Sequence, residues 1–158
     1  MTYHNPIENI PTYLTYDDVL LLPNYSEITP SHTKIDTQLT AKIPLKLPIV
    51  ASPMDTVCEE RMAEAIAKLG GYGIIHRNLK IADQAAQLKN VLDKGLLAGA
   101  AVGVGSDFQE RVEALAAVGA REICIDSAHG HTKHVIDAVV AIKKKYPRIE
   151  VIAGNVAT

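Results

Sequence analysis

The side chains able to do chemistry gather where short apolar runs stop. Five runs, residues 47–51, 72–75, 100–104, 122–125 and 151–153, end in Ser52-Pro53-Met54-Asp55, His76-Arg77-Asn78, Gly105-Ser106, Asp126-Ser127-Ala128-His129 and Gly154-Asn155. Ser52, Met54 and Asp55 put a hydroxyl, a thioether and a carboxylate just ahead of a helix start, where they could meet a phosphate or simply cap the helix. His76 and Arg77 could meet an anionic or hydrogen-bonding ligand, or anchor their own loop. Gly103-Val104-Gly105 offers bare backbone, which suits a flat ligand and a plain turn equally. Asp126, directly off an apolar strand, could accept two hydrogen bonds from ribose hydroxyls, as carboxylates do in dinucleotide sites. His129, His131 and His134 raise a metal reading, but no second cluster of ligands completes a shell, and His134 is expected to face solvent on a helix. Cys58 falls in a helix first turn with no histidine close in sequence to serve as its base, and Cys124 lies inside a strand as a small core residue.

These endings need elements to hold them. From residue 47 the chain repeats strand, loop, helix at intervals of roughly 25 residues, the size of a βα unit. Thr56 with Glu59, and Ser106 with Gln109, read as capping boxes opening two of the helices. Met62, Ile66 and Leu69 share a face of the first, which Gly70-Gly71 stops. Val112, Leu115 and Val118 form the face of the third, ended by Gly119. Between them a helix is predicted over 82–92 with Ala85, Leu88 and Leu92 inward and Gly95 beyond it, and a fourth over 133–145 with Val135, Val139 and Ile142 inward. The strands are continuous apolar runs, as expected for a parallel sheet covered on both faces. Five parallel strands and four helices fit either a barrel or an open doubly wound sheet, and periodicity leaves the two undecided. In either architecture ligands bind at the carboxyl ends of the strands. No GxGxxG or GxxxxGK[ST] motif follows the first strand.

Residues 1–46 differ: five of the eight prolines lie there, and no helical period outlasts a turn. The segment is expected to be an extended cap, with 34–41 an edge strand or hairpin arm. Residues 47–158 form the rest of the single domain that 158 residues and 47% hydrophobic composition support. A net charge of −2, with no basic run longer than Lys143-Lys144-Lys145, gives no footprint for nucleic acid or an anionic membrane. Two cysteines without CxxC spacing, no signal sequence and no apolar stretch near the roughly 20 residues of a membrane span point to a soluble protein of the cytoplasm.

Taken in order, the motifs resemble one family, the inosine 5′-monophosphate (IMP) dehydrogenases and the related guanosine monophosphate (GMP) reductases. The likeness runs through Leu14-Thr15-Tyr16-Asp17-Asp18-Val19-Leu20-Leu21-Leu22-Pro23, Pro48-Ile49-Val50-Ala51-Ser52-Pro53-Met54-Asp55-Thr56-Val57 and Gly70-Gly71-Tyr72-Gly73-Ile74-Ile75-His76-Arg77-Asn78. It continues in Gly99-Ala100-Ala101-Val102-Gly103, Ile125-Asp126-Ser127-Ala128-His129-Gly130-His131 and Ala153-Gly154-Asn155-Val156-Ala157-Thr158. The resemblance implies an α/β fold of the (β/α)8 TIM-barrel type, of which about the first five strands and four helices are present under an extended N-terminal cap. It also implies oxidation of IMP to xanthosine monophosphate with NAD in guanine nucleotide synthesis.

By the same resemblance Ser52 and Met54 are substrate contacts, Asp126, Ser127, Ala128 and Asn155 lie on the nicotinamide side, and His76 is a weaker cofactor contact. A homotetramer with IMP and NAD as its ligands is implied for the whole enzyme. Regulatory CBS modules, which many members insert after the second barrel helix, are not expected, since Asp93-Lys94-Gly95-Leu96-Leu97-Ala98 bridges that point directly. The phosphate loop, the nucleophilic cysteine with its potassium site, and the flap that activates water are expected beyond Thr158, so the 158 residues alone are expected to be inactive. GMP reductase, working with NADPH, is the neighbouring alternative. A non-catalytic half-barrel that assembles through its open edges is another, and a metal-dependent hydrolase built on His129 and His131 is the last.

Overall fold

The computed structural model describes residues 10–157. Thr158 and residues 1–9 of the expected cap lie outside them. The chain forms two compact units, Met1–Lys34 and Ile35–Thr158. In the first, the described part is extended and exposed, broken by single 3₁₀ turns at Tyr16–Asp18 and Pro30–His32. Thr15 donates from both its backbone N–H and its hydroxyl to the Asp18 carboxylate, at 2.8 and 3.0 Å, closing the earlier turn.

The second unit opens with an antiparallel hairpin, β1 (Thr37–Thr40) and β2 (Ile43–Leu45). Five parallel strands follow in simple sequence order: β3 (Val50–Ala51), β4 (Tyr72–Ile75), β5 (Ala98–Val102), β6 (Glu122–Asp126) and β7 (Glu150–Gly154). Between them run α1 (Glu60–Lys68), α2 (Ile81–Asp93), α3 (Phe108–Ala117) and α4 (Lys133–Lys145). Sequential order without a reversal is what a barrel requires and what a doubly wound sheet lacks. The sheet curls into a half-barrel of the TIM type, with β3 and β7 each paired on one side only.

Both faces of the central strands are buried, which explains their unbroken apolar runs. On the outer face Ile75, Ala98, Ala100, Val102, Ile123 and Ile125 meet the helices through Ala63, Ile66, Leu88, Val91, Leu115 and Ile142. On the inner face Tyr72, Ile74, Ala101 and Cys124 are covered by Ile43 and Leu45 of the hairpin. Glycines close α1, α2 and α3: Gly70, Gly95 and Gly119 have φ of 88°, 72° and 93°, the left-handed turn that ends a helix without steric cost.

Several local expectations are overturned. Neither capping box forms. Thr56 lies in a turn ahead of α1, where Val57 N–H and Cys58 N–H both donate to Met54 O, and the Glu59 carboxylate is drawn to His76 and Gln87 instead. The free N–H of Glu60 is satisfied from α2, by Gln87 Oε1 at 2.9 Å, so a neighbouring helix supplies the cap. At α3 the cap position belongs to Asp107, whose carboxylate turns to Arg111. Only at α4 does a local side chain cap, Thr132 Oγ1 accepting from Val135 N–H at 3.3 Å.

The inner face of α1 is Ala63 and Ile66, while Met62 is 44% and Leu69 71% exposed. The smallest side chains sit at the closest crossing: a Cβ on Gly73 would lie 2.6 Å from Ala63 Cα, so the helix rests on the sheet there and turns Met62 and Leu69 outward. The first strand is shorter than 47–51, because Leu47 N–H pairs with Gly70 O, Ile49 N–H turns back to Leu47 O, and Pro48 has no donor. The third barrel strand is 98–102, not 100–104. Gly99 is inside the strand because the Glu122 side chain crosses directly over it. Cys58 precedes α1 and does not belong to its first turn.

Candidate functional site

The strand tips meet at one end of the half-barrel, each shaped by short local bonds. After β3, Met54 N–H donates to Ser52 O at 2.8 Å, a tight turn that leaves Ser52 exposed and the Met54 side chain 56% exposed. Asp126 ends β6, its side chain one-third exposed. The loop beyond it is laced to the end of β7. Ser127 N–H donates to Gly154 O at 2.9 Å, Asn155 N–H to Ser127 O at 2.5 Å and Gly130 N–H to Asn155 O at 2.7 Å. Gly130 is obligatory for that lacing, since a Cβ there would stand 2.8 Å from Asn155 O. Ser127 Oγ and His129 backbone bond each other at 3.3 Å in a local turn.

Asp126, Ser127, Ala128 and Asn155 are therefore neighbours across β6 and β7. Ser52 and Met54 stand at the other side of the sheet, three strand spacings from β6, roughly 14 Å along the sheet. The part-exposed Asp126 carboxylate, followed by the small exposed Ala128 and approached on one side by Arg77 at 3.6 Å, has the acceptor capacity for a pair of vicinal hydroxyls.

His76 is set apart from the other candidate contacts by its burial, 2% exposed. Its Nδ1 accepts from Asn78 N–H at 3.1 Å, which leaves the ring proton on Nε2 facing Glu59 Oε1 at 3.2 Å. The bond from His76 Nε2, with a further one from Gln87, holds the Glu59 carboxyl below the ordinary glutamate range. His76 N–H also donates to Cys58 O at 3.2 Å. Both ring nitrogens are thus occupied, Nδ1 within the loop after β4 and Nε2 in tying that tip to the loop after β3.

Two polar residues absent from the sequence reading support these tips. Gln84 of α2 is fully buried, and its amide donates to Ile75 O, His76 O and Ala101 O at 3.2, 3.0 and 2.8 Å. Arg111 of α3, 6% exposed, donates to Gln84 Oε1 at 2.9 Å, to Leu79 O at 3.1 Å and to the Asp107 carboxylate. The signal was present, because Gln84 shares the i, i+4, i+7 phase of Leu88 and Val91 and so occupies an inward position of its helix.

Burial pushes the Cys58 thiol up to about 11 and the Cys124 thiol up to about 12, the latter helped by Glu122 and Asp126, so neither carries a nucleophilic thiolate near neutral pH. His129, His131 and His134 are exposed, and no group of three metal-ligating side chains occurs among the described residues. The largest cavity, about 700 Å³, lies away from the tips, between the hairpin and the C-terminal ends of α1 and α2, lined by Thr37, Leu45, Gly70 and Gly95. The tip residues form an open surface. Among the described residues no helix is long and apolar enough to cross a membrane.

Residues 13–158 match the family model of the IMP dehydrogenase / GMP reductase domain. The chain is 35% identical over 195 residues to the inosine-5′-monophosphate dehydrogenase of Borreliella burgdorferi, covering 92% of this chain and 48% of the relative. It is 36% identical over 194 residues to that of Cryptosporidium parvum, covering 96% and 48%. A shorter stretch of 78 residues is 55% identical to that of Mycobacterium tuberculosis, covering 49% of this chain and 15% of the relative. The chain spans about half the length of the first two of these relatives.

Proposed function

The chain belongs to the IMP dehydrogenase / GMP reductase family, and from that premise we propose that it is the N-terminal part of an IMP dehydrogenase barrel, with no CBS module. Residues 1–46 form its cap and 47–158 its first five strands. The proposed reaction is oxidation of IMP at C2 to xanthosine monophosphate, with the new oxygen coming from water. NAD, when bound, supplies the hydride acceptor. Ser52 and Met54 face the nucleotide substrate, Asp126 accepts from the nicotinamide ribose, and Ser127, Ala128 and Asn155 line the same side. His76 works through its bonds to Glu59, Asn78 and Cys58, fixing the height of the β4 tip relative to the loop that carries Met54.

The observation that carries the reading is the placing of Asp126 and Asn155 side by side at the tips of β6 and β7, with the loop of Ser52 and Met54 at the same end of the sheet. Two exposed or half-exposed edges, with Ile49 at 52% and Val50 at 36% exposure on one of them, give the 158 residues surfaces for association. Cys58 and Cys124 are buried with raised thiols, so the nucleophile is taken to lie outside these residues, as does the potassium site of the whole enzyme. The working assembly is a homotetramer in the cytoplasm. Incubating the full gene product with IMP and NAD should yield NADH and xanthosine monophosphate. Turnover of GMP with NADPH in its place would transfer the protein to the reductase side, and turnover of IMP by the 158 residues alone would overturn the assignment of the nucleophile.

A further inference from the structure

The central strand β5 presents Gly99 and Ala101, and the residue just past its end, Gly103, in alternation toward the inside of the half-barrel; Gly99 is crossed by Glu122 of β6 and Gly103 by a side chain from the loop after β4. At the tip end that side chain is Arg77. A Cβ placed on Gly103 would stand 3.1 Å from Arg77 Nη1, 3.3 Å from Cζ and 3.6 Å from Nε, so the guanidinium lies flat across the end of β5. From there it reaches β6, where Nε is 3.6 Å from Asp126 Oδ2, an ion-pair contact longer than a hydrogen bond. Arg77 is 44% and Asp126 34% exposed, so the pair sits at the open surface.

The geometry points to Arg77 as a positioning residue for Asp126, a role resting on the proposed contact between Asp126 and the cofactor ribose. A free aspartate at a strand tip can rotate about χ1 and χ2 and present either oxygen in several directions. The cation across β5 selects the orientation with Oδ2 toward Arg77 and leaves Oδ1 for the ribose hydroxyls. Gly103 is what makes this possible, because any larger side chain would lift the guanidinium off the strand. Arg77 is rooted beside β3 at the end of β4, but its guanidinium is turned over Gly103 toward Asp126, so it contributes to affinity for the dinucleotide and leaves the mononucleotide substrate at Ser52 and Met54 largely untouched.

The test uses the longest polypeptide that the gene encodes, with NAD and IMP dissociation constants measured by calorimetry. Arg77→Ala should weaken NAD about fivefold, the size of effect a part-exposed ion pair can produce, with IMP affinity changed less than about 1.5-fold. Arg77→Lys, which keeps the charge but loses the planar fork, should recover affinity to within about twofold of the parent. In an Asp126→Ala background, Arg77→Ala should add less than about 1.5-fold, because the residue it positions is gone. Unchanged NAD affinity in Arg77→Ala, an equal loss for IMP, or a full fivefold loss persisting without Asp126 would each overturn the role of Arg77 alone. A parent protein that binds no NAD would instead overturn the cofactor reading and this role with it.

Discussion

Replacing Glu122 with glutamine should change how stability depends on pH more than any other single substitution in the chain. Glu122 starts β6 on its inner face, fully buried, with Oε1 lacking a partner and Oε2 3.5 Å from the Tyr72 hydroxyl. It crosses Gly99, whose hypothetical Cβ would overlap the carboxyl. Burial raises its pKa from the ordinary 4.5 to about 8, against a small opposing pull from Tyr72. The folded state holds this proton more tightly than the unfolded chain. The stabilisation is therefore complete below about pH 4.5 and is lost progressively as pH rises through about 8. At about 1.4 kcal/mol per pKa unit, the wild-type chain should lose about 4 kcal/mol relative to Glu122→Gln between pH 5 and pH 9. Urea unfolding followed by circular dichroism at pH 5, 7 and 9 measures this directly. Glutamine has nearly the same shape, so its packing offset is the same at every pH and the slope of the difference belongs to Glu122. A difference that changes by less than about 1 kcal/mol across that range would mean that the carboxyl is hydrated or paired, against its buried, unpartnered placement.

Two further outcomes follow from the same structure. Gly130→Ala puts a Cβ 2.8 Å from Asn155 O, so the lacing of the β6 and β7 tips must open; a loss of about 1–3 kcal/mol in thermal unfolding is expected, with faster amide exchange at Ser127 and Asn155. An unchanged exchange pattern would argue against the lacing. Cys58 and Cys124, buried with thiols pushed up to about 11 and about 12, should react with an aromatic disulfide reagent at pH 8 only at the rate of unfolding, and rapid labelling of either in the folded protein would contradict their placement.

How much could be read in advance differs by element. α4 is legible from its apolar period and its terminal lysines, and the structure adds a local cap from Thr132; Lys143 even donates to Pro147 O and Ile149 O, at 3.1 and 2.8 Å, closing the turn after the helix. α1 is not, because its first N–H is capped by Gln87 from 27 residues away, and no local pattern encodes such a partner. β5 was misplaced by two residues because Gly99 looks like a boundary, whereas it is an interior position emptied to admit Glu122. For the candidate site, the types of Ser52, Met54, Asp126 and Asn155 mark the tips, while the buried commitment of His76 depends on Glu59 and Asn78 and needs three dimensions.

Composition and order alone determine that this chain alternates strands and helices and that its polar residues collect at the strand ends, since apolar runs, glycine stops and turn residues are local chemistry. Tertiary structure alone decides which of those residues meet. A side chain's partners come from strands and helices distant in sequence, as when Arg77 crosses Gly103 to Asp126, Gln84 holds three carbonyls of two strands, and Glu122 is left with an oxygen that nothing in the described residues satisfies. Local propensity acts over a few residues, whereas burial and charge pairing act through space, and the character of these tips as a site depends on the second.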